Sequence, residues 1–290
     1  MPSDAAVPMP GSGSWPDLPD PLPVPVVDSH CHLDISYDTD RHGPGLPVSV
    51  ALEHAAAVGV PRVVQVGHDL PSSRWGVKIA HDHPQVVAAV ALHPNEAPRL
   101  AASGEFDHAF SEITRLAGDE RVRAVGETGL DYFRTGPEGR AAQEESFRRH
   151  IALAKELDRT LVIHDRDAHD DVVRVLLEEG APSRVVFHCF SGGVELATTC
   201  ANNGWFMSFA GPVTFKANEH LREALVAAPA ELVLVETDAP FLAPLPFRGR
   251  PNASYLIPTT LRAMADVRNV DVKELATCVA DATTRAFGMW

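Results

Sequence analysis

The sequence predicts an α/β fold, an eight-stranded (β/α)8 TIM barrel, and three observations carry that expectation. Short apolar runs alternate eight times with longer helical patterns. Those runs are apolar almost throughout, as in a parallel sheet covered by helices, and right-handed crossovers repeated eight times close such a sheet. A barrel of this kind takes about 250 residues, close to the 290-residue chain once a leader is set aside. An open doubly wound sheet is the competing architecture. It lacks support because no Gly-rich phosphate fingerprint follows the first strand.

Residues 1–23 are so rich in Pro, Gly, Ser and Asp that they offer no apolar face, and they read as an unstructured leader ahead of a single domain at 24–290. Strand one is PVVDSH at 25–30, followed by a helical pattern at 47–58. RVVQVG at 62–67 precedes a helix at 71–81, and VVAAVAL at 86–92 precedes one at 106–117. VRAVGE at 122–127 leads into the long pattern 138–157, and TLVIH at 160–164 into 168–178. RVVFH at 184–188 is followed by 193–201, WFMSF at 205–209 by 218–227, and LVLVETD at 232–238 by a closing pair at 258–267 and 272–287.

Composition narrows the function. Hydrophobic residues at 45% and charged residues at 22% exclude a disordered or fibrous chain. Four cysteines without CxxC spacing read as reduced thiols, and neither a secretory signal nor a membrane-length apolar stretch is present, so a cytoplasmic protein without a membrane partner is expected. A formal net charge of −14 argues against a nucleic-acid coat protein, and any phosphate substrate needs a local source of positive charge.

That source is visible where the strands end. His30 and His32 close strand one, Glu127 strand four, His164 strand five, His188 strand six and Asp238 strand eight. Active sites of this fold lie at the C-terminal face of the strands. Residues i and i+2 of a strand share a face, so His30 and His32 both aim inward, Cys31 becomes a core thiol, and the same parity sets Cys189 aside from His188. Imidazole and carboxylate donors suit Zn²⁺, Mn²⁺ or Fe²⁺. Six donors exceed one catalytic ion's needs, so two divalent ions are expected, with Glu127 able to bridge them.

These residues lie in segments that resemble the TatD family of metal-dependent hydrolases, a branch of the amidohydrolase superfamily. The matching segments are DSHCHLD at 28–34, LHP at 92–94, GETGLDY at 126–132, VIHDRDAHDD at 162–171, VFHCFSG at 186–192, ETDAPFLAP at 236–244 and RGRPN at 248–252. The resemblance implies a deoxyribonuclease-like hydrolase acting on ester bonds, described for the family as magnesium-dependent 3′ to 5′ exonuclease action. It implies one ion on His30, His32, Glu127 and Asp238, and a second on Glu127, His164 and His188. Mg²⁺, Mn²⁺ and Zn²⁺ are the candidate cofactors. Ala91 and Ala253 depart from the family's usual residues, and neither removes a ligand.

On this reading a hydroxide bridging the two ions attacks phosphorus, and Asp238 both ligates and takes the water's proton. His93, Arg166, Arg248 and Arg250 are candidate phosphate contacts. Glu236, two residues before Asp238, either orients a ligand or pairs with a strand neighbour. Tyr132, Phe133 and Phe241 either stack on bases or pack. Asp167, Asp170 and Asp171 favour a helix N-terminus, and the remaining nine histidines are assigned to the surface. An amide or ester hydrolase, such as a D-aminoacyl-tRNA deacylase, is the alternative reaction class, and a non-catalytic metal-binding scaffold the third. A DNA strand end is the expected transient partner, and a monomer is compatible with the sequence. Two carboxylates against two divalent ions leave about +2 at the mouth by formal count.

Overall fold

The computed structural model describes residues 15–35 and 45–289. Eight parallel strands pair in chain order: β1 (Val27–Cys31), β2 (Arg62–Val66), β3 (Val86–Val90), β4 (Val122–Asp131), β5 (Thr160–Arg166), β6 (Val185–Phe187), β7 (Phe206–Phe209) and β8 (Val233–Val235). Among the described residues, the helices are α1 (Val48–Ala57), α2 (Leu70–Asp82), α3 (Glu96–Ser103), α4 (Phe106–Ala117), α5 (Pro137–Glu156), α6 (His169–Glu179), α7 (Val194–Asn203), α8 (Glu219–Ala227), α9 (Ile257–Arg268) and α10 (Val272–Phe287). This is the (β/α)8 barrel expected from the sequence. Among the described residues, no helix is long and apolar enough to cross a membrane.

The seam between β1 and β8 closes largely by side chains and single backbone bonds. Asp28, fully buried, accepts hydrogen bonds from the Thr237 backbone N–H at 3.0 Å and from its hydroxyl at 2.6 Å. Asp238 N–H donates to His30 O at 2.9 Å and His32 N–H to Ala239 O at 2.7 Å. The seam therefore fixes the two chain segments that carry His30, His32 and Asp238 relative to each other.

Two apolar layers follow from the alternation of the strands. Inside the barrel, Val64, Val87, Ala89, Ala124, Val162, Val186, Phe206 and Leu234 pack together, with Ala282, Ala286 and Phe287 of α10 in the same cluster. Outside it, residues such as Val63, Val90, Leu161, Ile163 and Phe187 pack under helical side chains including Ile113, Phe147 and Ile151. Cys31 belongs to this outer layer, and its thiol approaches Val64 O at 3.5 Å.

The structure differs from the sequence expectation most in three places, and β8 also ends at Val235, three residues before its expected end. Helix α3 has no counterpart in the sequence expectation, and it contains Pro98. Pro98 falls in the first turn, where its missing N–H leaves no helical bond unmade. Strand β4 runs to Asp131, four residues beyond its expected end, with its register shifted against β5 between Val125 and Thr128. The shift leaves Glu127 within an irregularity of the strand. Gly129 is obligatory there: its φ is +139°, and a Cβ would stand 2.1 Å from His164 O.

The third difference is the leader. Residues 1–14 lie outside the described residues, but 15–23 lie against the barrel. Leu22 is buried and its N–H donates to Val58 O at 3.0 Å, and the Tyr255 hydroxyl donates to Pro16 O at 2.8 Å. Pro and Asp disfavour regular structure without preventing a segment from docking through its backbone carbonyls, which also receive Arg262 at Asp20 and Pro21.

Candidate metal centre

All six expected donors meet at the C-terminal mouth. His30 Nε2 lies 3.3 Å from His32 Nε2. Asp238 Oδ1 stands 3.7 Å from the first and 3.5 Å from the second, and Glu127 Oε1 lies 3.7 Å from His32 Nε2. The other Glu127 oxygen, Oε2, faces a second set, at 2.9 Å from His188 Nε2 and 3.3 Å from His164 Nδ1, with those two nitrogens 3.5 Å apart. Donors about 2.0–2.1 Å from a tetrahedral cation sit roughly 3.3–3.4 Å from one another. The spacings of both sets, 2.9–3.7 Å, lie around that value, with one Glu127 oxygen in each.

The protons on the imidazoles agree. His32 Nδ1 donates to Val66 O at 2.9 Å, His188 Nδ1 to Glu236 Oε1 at 3.2 Å, and His164 Nε2 to Asp131 Oδ2 at 3.2 Å. Each outward bond places the ring proton on the far nitrogen and leaves a lone pair facing inward. This is how metal-binding histidines are oriented. A divalent ion between His30 and His32 would take a lone pair from each inward nitrogen and offset the cost of burying these polar groups. The residues fit a divalent ion or two.

The charge balance of the cation-free protein points the same way. Burial alone would raise the Glu127 carboxyl, but His93 and His188, with hydrogen bonds from His164 and His188, hold it well below the usual range. Burial opposes a charge on His32, yet the Asp238 hydrogen bond and the Glu127 charge raise its pKa to about 9. For His188 burial is again outweighed, here by Glu127 and Glu236. The carboxylates at this centre thus favour positive charge beside them.

Glu236 is fully buried and accepts from both His188 Nδ1 and the Cys189 N–H, the latter at 2.8 Å, so it fixes the orientation of one ring and the loop that follows it. His93 faces the same cavity, with Nε2 3.9 Å from Glu127 Oε2. Its Nδ1 accepts the Asn95 N–H at 3.1 Å, so the neutral ring carries its proton on Nε2. Burial presses its pKa down to about 3. A ring in that state can donate a hydrogen bond into the cavity, and its donor atom also groups with those of Glu127 and His164 closely enough to hold a metal ion.

The cavity is about 500 Å³ and is walled beyond these donors by Arg134, Arg166, Cys189, Asn218, His220, Phe241 and Leu242, among others. Arg166 lies 3.9 Å from the centroid of the exposed Phe133 ring. Arg248 and Arg250 line a separate neighbouring cleft, because the loop after β8 turns back on itself and Leu242 stands between the two spaces. Tyr132 is occupied by packing: its hydroxyl donates to Asp171 at 2.9 Å and Arg140 covers its ring.

Four residues stand elsewhere than the sequence reading places them or carry a role it does not assign. Cys189 lines the cavity after all, since β6 ends at Phe187 and a φ of 41° at Cys189 breaks the two-residue alternation. His150 is fully buried rather than superficial, accepting the Leu92 N–H at 3.1 Å, and His220 lines the cavity from α8. Asp131 passed unremarked. Glu127, Gly129 and Asp131 share the period-two face that could have revealed it, and the Asp131 carboxylate also accepts from Asn95 and from the Arg134 N–H.

Comparison with known proteins shows the family. The family model described as TatD related DNase matches residues 27–288. An uncharacterized metal-dependent hydrolase, TatD, of Mycobacterium tuberculosis is 43% identical over 268 residues, covering 91% of this chain and 98% of its own. The uncharacterized metal-dependent hydrolase YcfH of Escherichia coli K12 is 37% identical over 263 residues, covering 90% and 95%. In fold, the chain is similar to the crystal structure of YjjV, a TatD homologue of E. coli, with TM-score 0.81, 24% identity and coverage of 91% and 98%. The phosphotriesterase homology protein of E. coli, solved with phosphate in its active site, gives TM-score 0.65 at 14% identity, covering 91% and 99%. With a family model spanning nearly the whole barrel and relatives matched end to end, the chain belongs to the TatD family of metal-dependent hydrolases.

Proposed function

We propose that the chain is a cytoplasmic phosphodiesterase that hydrolyses DNA from a strand end in the 3′ to 5′ direction, using two divalent ions, Mg²⁺, Mn²⁺ or Zn²⁺. The observation that carries this reading is the division of Glu127 between two donor sets, one oxygen to each. His30, His32, Glu127 and Asp238 would hold one ion and Glu127, His164 and His188 the other. Such ions supply Lewis-acid polarisation of phosphoryl oxygens and a lowered pKa for water, the requirements of an in-line displacement at phosphorus.

The chain's own groups do the rest. Asp238, its side chain 15% exposed at the cavity wall, takes a proton from the attacking water. His93 donates from Nε2 to a non-bridging oxygen. Arg134 and Arg166 on the same wall orient the phosphate, with Arg166 held flat by Phe133. Glu236 and Asp131 keep the His188 and His164 rings turned inward. Arginines at the wall favour a phosphate over a neutral amide as the group bound there.

The test is direct. The purified chain, stripped and reloaded with Mg²⁺, Mn²⁺ or Zn²⁺, is assayed on single-stranded DNA, D-aminoacyl-tRNA and simple carboxyl esters. Shortening of DNA from its 3′ end supports the reading. Robust deacylation without DNA cleavage overturns it in favour of a carboxyl-ester hydrolase.

A further inference from the structure

We propose that the cleft beyond Leu242 is a second phosphate subsite, centred on Arg248, so that the substrate is a chain with at least two phosphates rather than an isolated diester. The inference rests on the phosphodiesterase reading of the metal cavity. The cleft has a volume of about 280 Å³ and shares Leu242 with that cavity, so a strand crossing the mouth passes from one space to the other.

The partition between them is fixed. Leu242 holds a φ of 58° and Asp238 one of 52°, and the buried Asn252 clasps the loop by donating from Nδ2 to Thr237 O at 2.9 Å and Phe241 O at 2.6 Å. Beyond it, Arg250 N–H donates to Phe247 O at 2.9 Å, closing a tight turn with Gly249 at φ +83°. A left-handed residue at that corner is what a type II turn requires, and it presents Arg248 outward at the second position.

Arg248 is placed for an anion. Its guanidinium carbon lies 4.8 Å from the centroid of Phe215, a cation–π contact that leaves its N–H groups able to receive phosphate oxygens. Elsewhere in this acidic chain many arginines are matched with carboxylates, as Arg148 and Arg174 are with Glu144 and Glu178, or with backbone carbonyls, as Arg222 and Arg268 are. Among the described residues Arg248 has no carboxylate partner, and neither has Arg166, which lies over the Phe133 ring at the metal cavity. The two rest on aromatic rings, one at the metal cavity and one at the cleft. A single-stranded phosphate chain meets both: successive phosphates find guanidinium groups while bases find ring faces.

The experiment uses Mn²⁺-loaded protein and a fluorescein-labelled hexanucleotide with phosphorothioate linkages, its binding followed by anisotropy across a salt series. Arg248→Ala is expected to weaken binding about tenfold at low salt and to reduce the magnitude of the log K against log salt slope by about 0.7, the value for one lost single-strand phosphate contact. Arg248→Lys, which keeps the charge but not the stacked fork, falls between. In turnover with an unmodified hexanucleotide, the ratio of its kcat/KM to that of bis(p-nitrophenyl) phosphate drops at least about fivefold in Arg248→Ala. An unchanged salt slope, or an unchanged ratio where both substrates turn over, overturns the subsite. A wild-type protein that binds the hexanucleotide through Arg248 but cleaves neither phosphodiester leaves the subsite standing and removes the phosphodiesterase reading instead.

Discussion

The two ends of the barrel interior are built from the same strands and obey opposite rules. At the lower end, Val162, Val186, Leu234 and Phe206 fill the space with apolar side chains under α10. One alternation further along those strands stand His164, His188 and Glu236, polar groups buried or nearly so. The lower layer gains from leaving water. The upper layer loses by it, unless a cation supplies what hydration supplied before. The comparison assigns stability to one end and metal-dependent chemistry to the other, and each assignment can be broken separately.

The largest effect is expected at the top. Glu127→Ala removes the carboxylate common to both donor sets, and hydrolysis should fall by at least about 10³-fold. The thermal midpoint of the metal-free variant should fall below that of the metal-free parent, since the buried His32 and His188 rings lose the carboxylate they pair with. Steady-state kinetics and calorimetry check the pair, and a variant with full turnover would sink the assignment. At the bottom, Phe206→Ala should cost about 3–5 kcal/mol in denaturant unfolding while the folded fraction keeps its metal content. Loss of metal at native protein concentration would show that the layers are not separable.

A histidine outside both layers sharpens the contrast. His150 is buried between α5 and β3, donating from Nδ1 to Ser146 O at 2.7 Å and accepting at Nε2, and burial lowers its pKa from 6.5 to about 4. The unfolded chain takes up a proton that the folded one refuses. Its contribution is complete above about pH 6.5 and is lost as the pH falls toward 4, on the order of 3 kcal/mol. The stability difference between metal-free wild type and His150→Gln should shrink by that amount between pH 7.5 and 4, and a difference independent of pH would contradict the assignment. The smallest effect belongs to Asp131→Asn, which weakens the acceptor behind His164. Metal affinity should drop about 10- to 100-fold, measured by competition with a chromophoric chelator, and unaltered affinity would show the contact to be incidental.

What was legible in the sequence was local. Apolar runs gave the eight strands, and the histidines and carboxylates closing them gave the six donors that now stand together. What was not legible depends on distant contacts or on broken periodicity. Asp131 enters the site only because β4 continues past an irregularity, and Cys189 only because a left-handed residue ends the alternation. Residues 15–23 gain order from Tyr255, more than two hundred positions away. Arg248 and Arg250 were grouped with the metal cavity because they follow β8 in sequence, whereas the turn at Leu242 carries them into the next cleft.

The central claim is that the upper end is a shared two-cation site. Metal content of the Mn²⁺- or Zn²⁺-saturated protein, determined by elemental analysis after gel filtration, tests it most directly. The account predicts two ions per chain in the wild type and one or fewer in Glu127→Ala. Saturation of the wild type at a single ion, or retention of two by the variant, would contradict it.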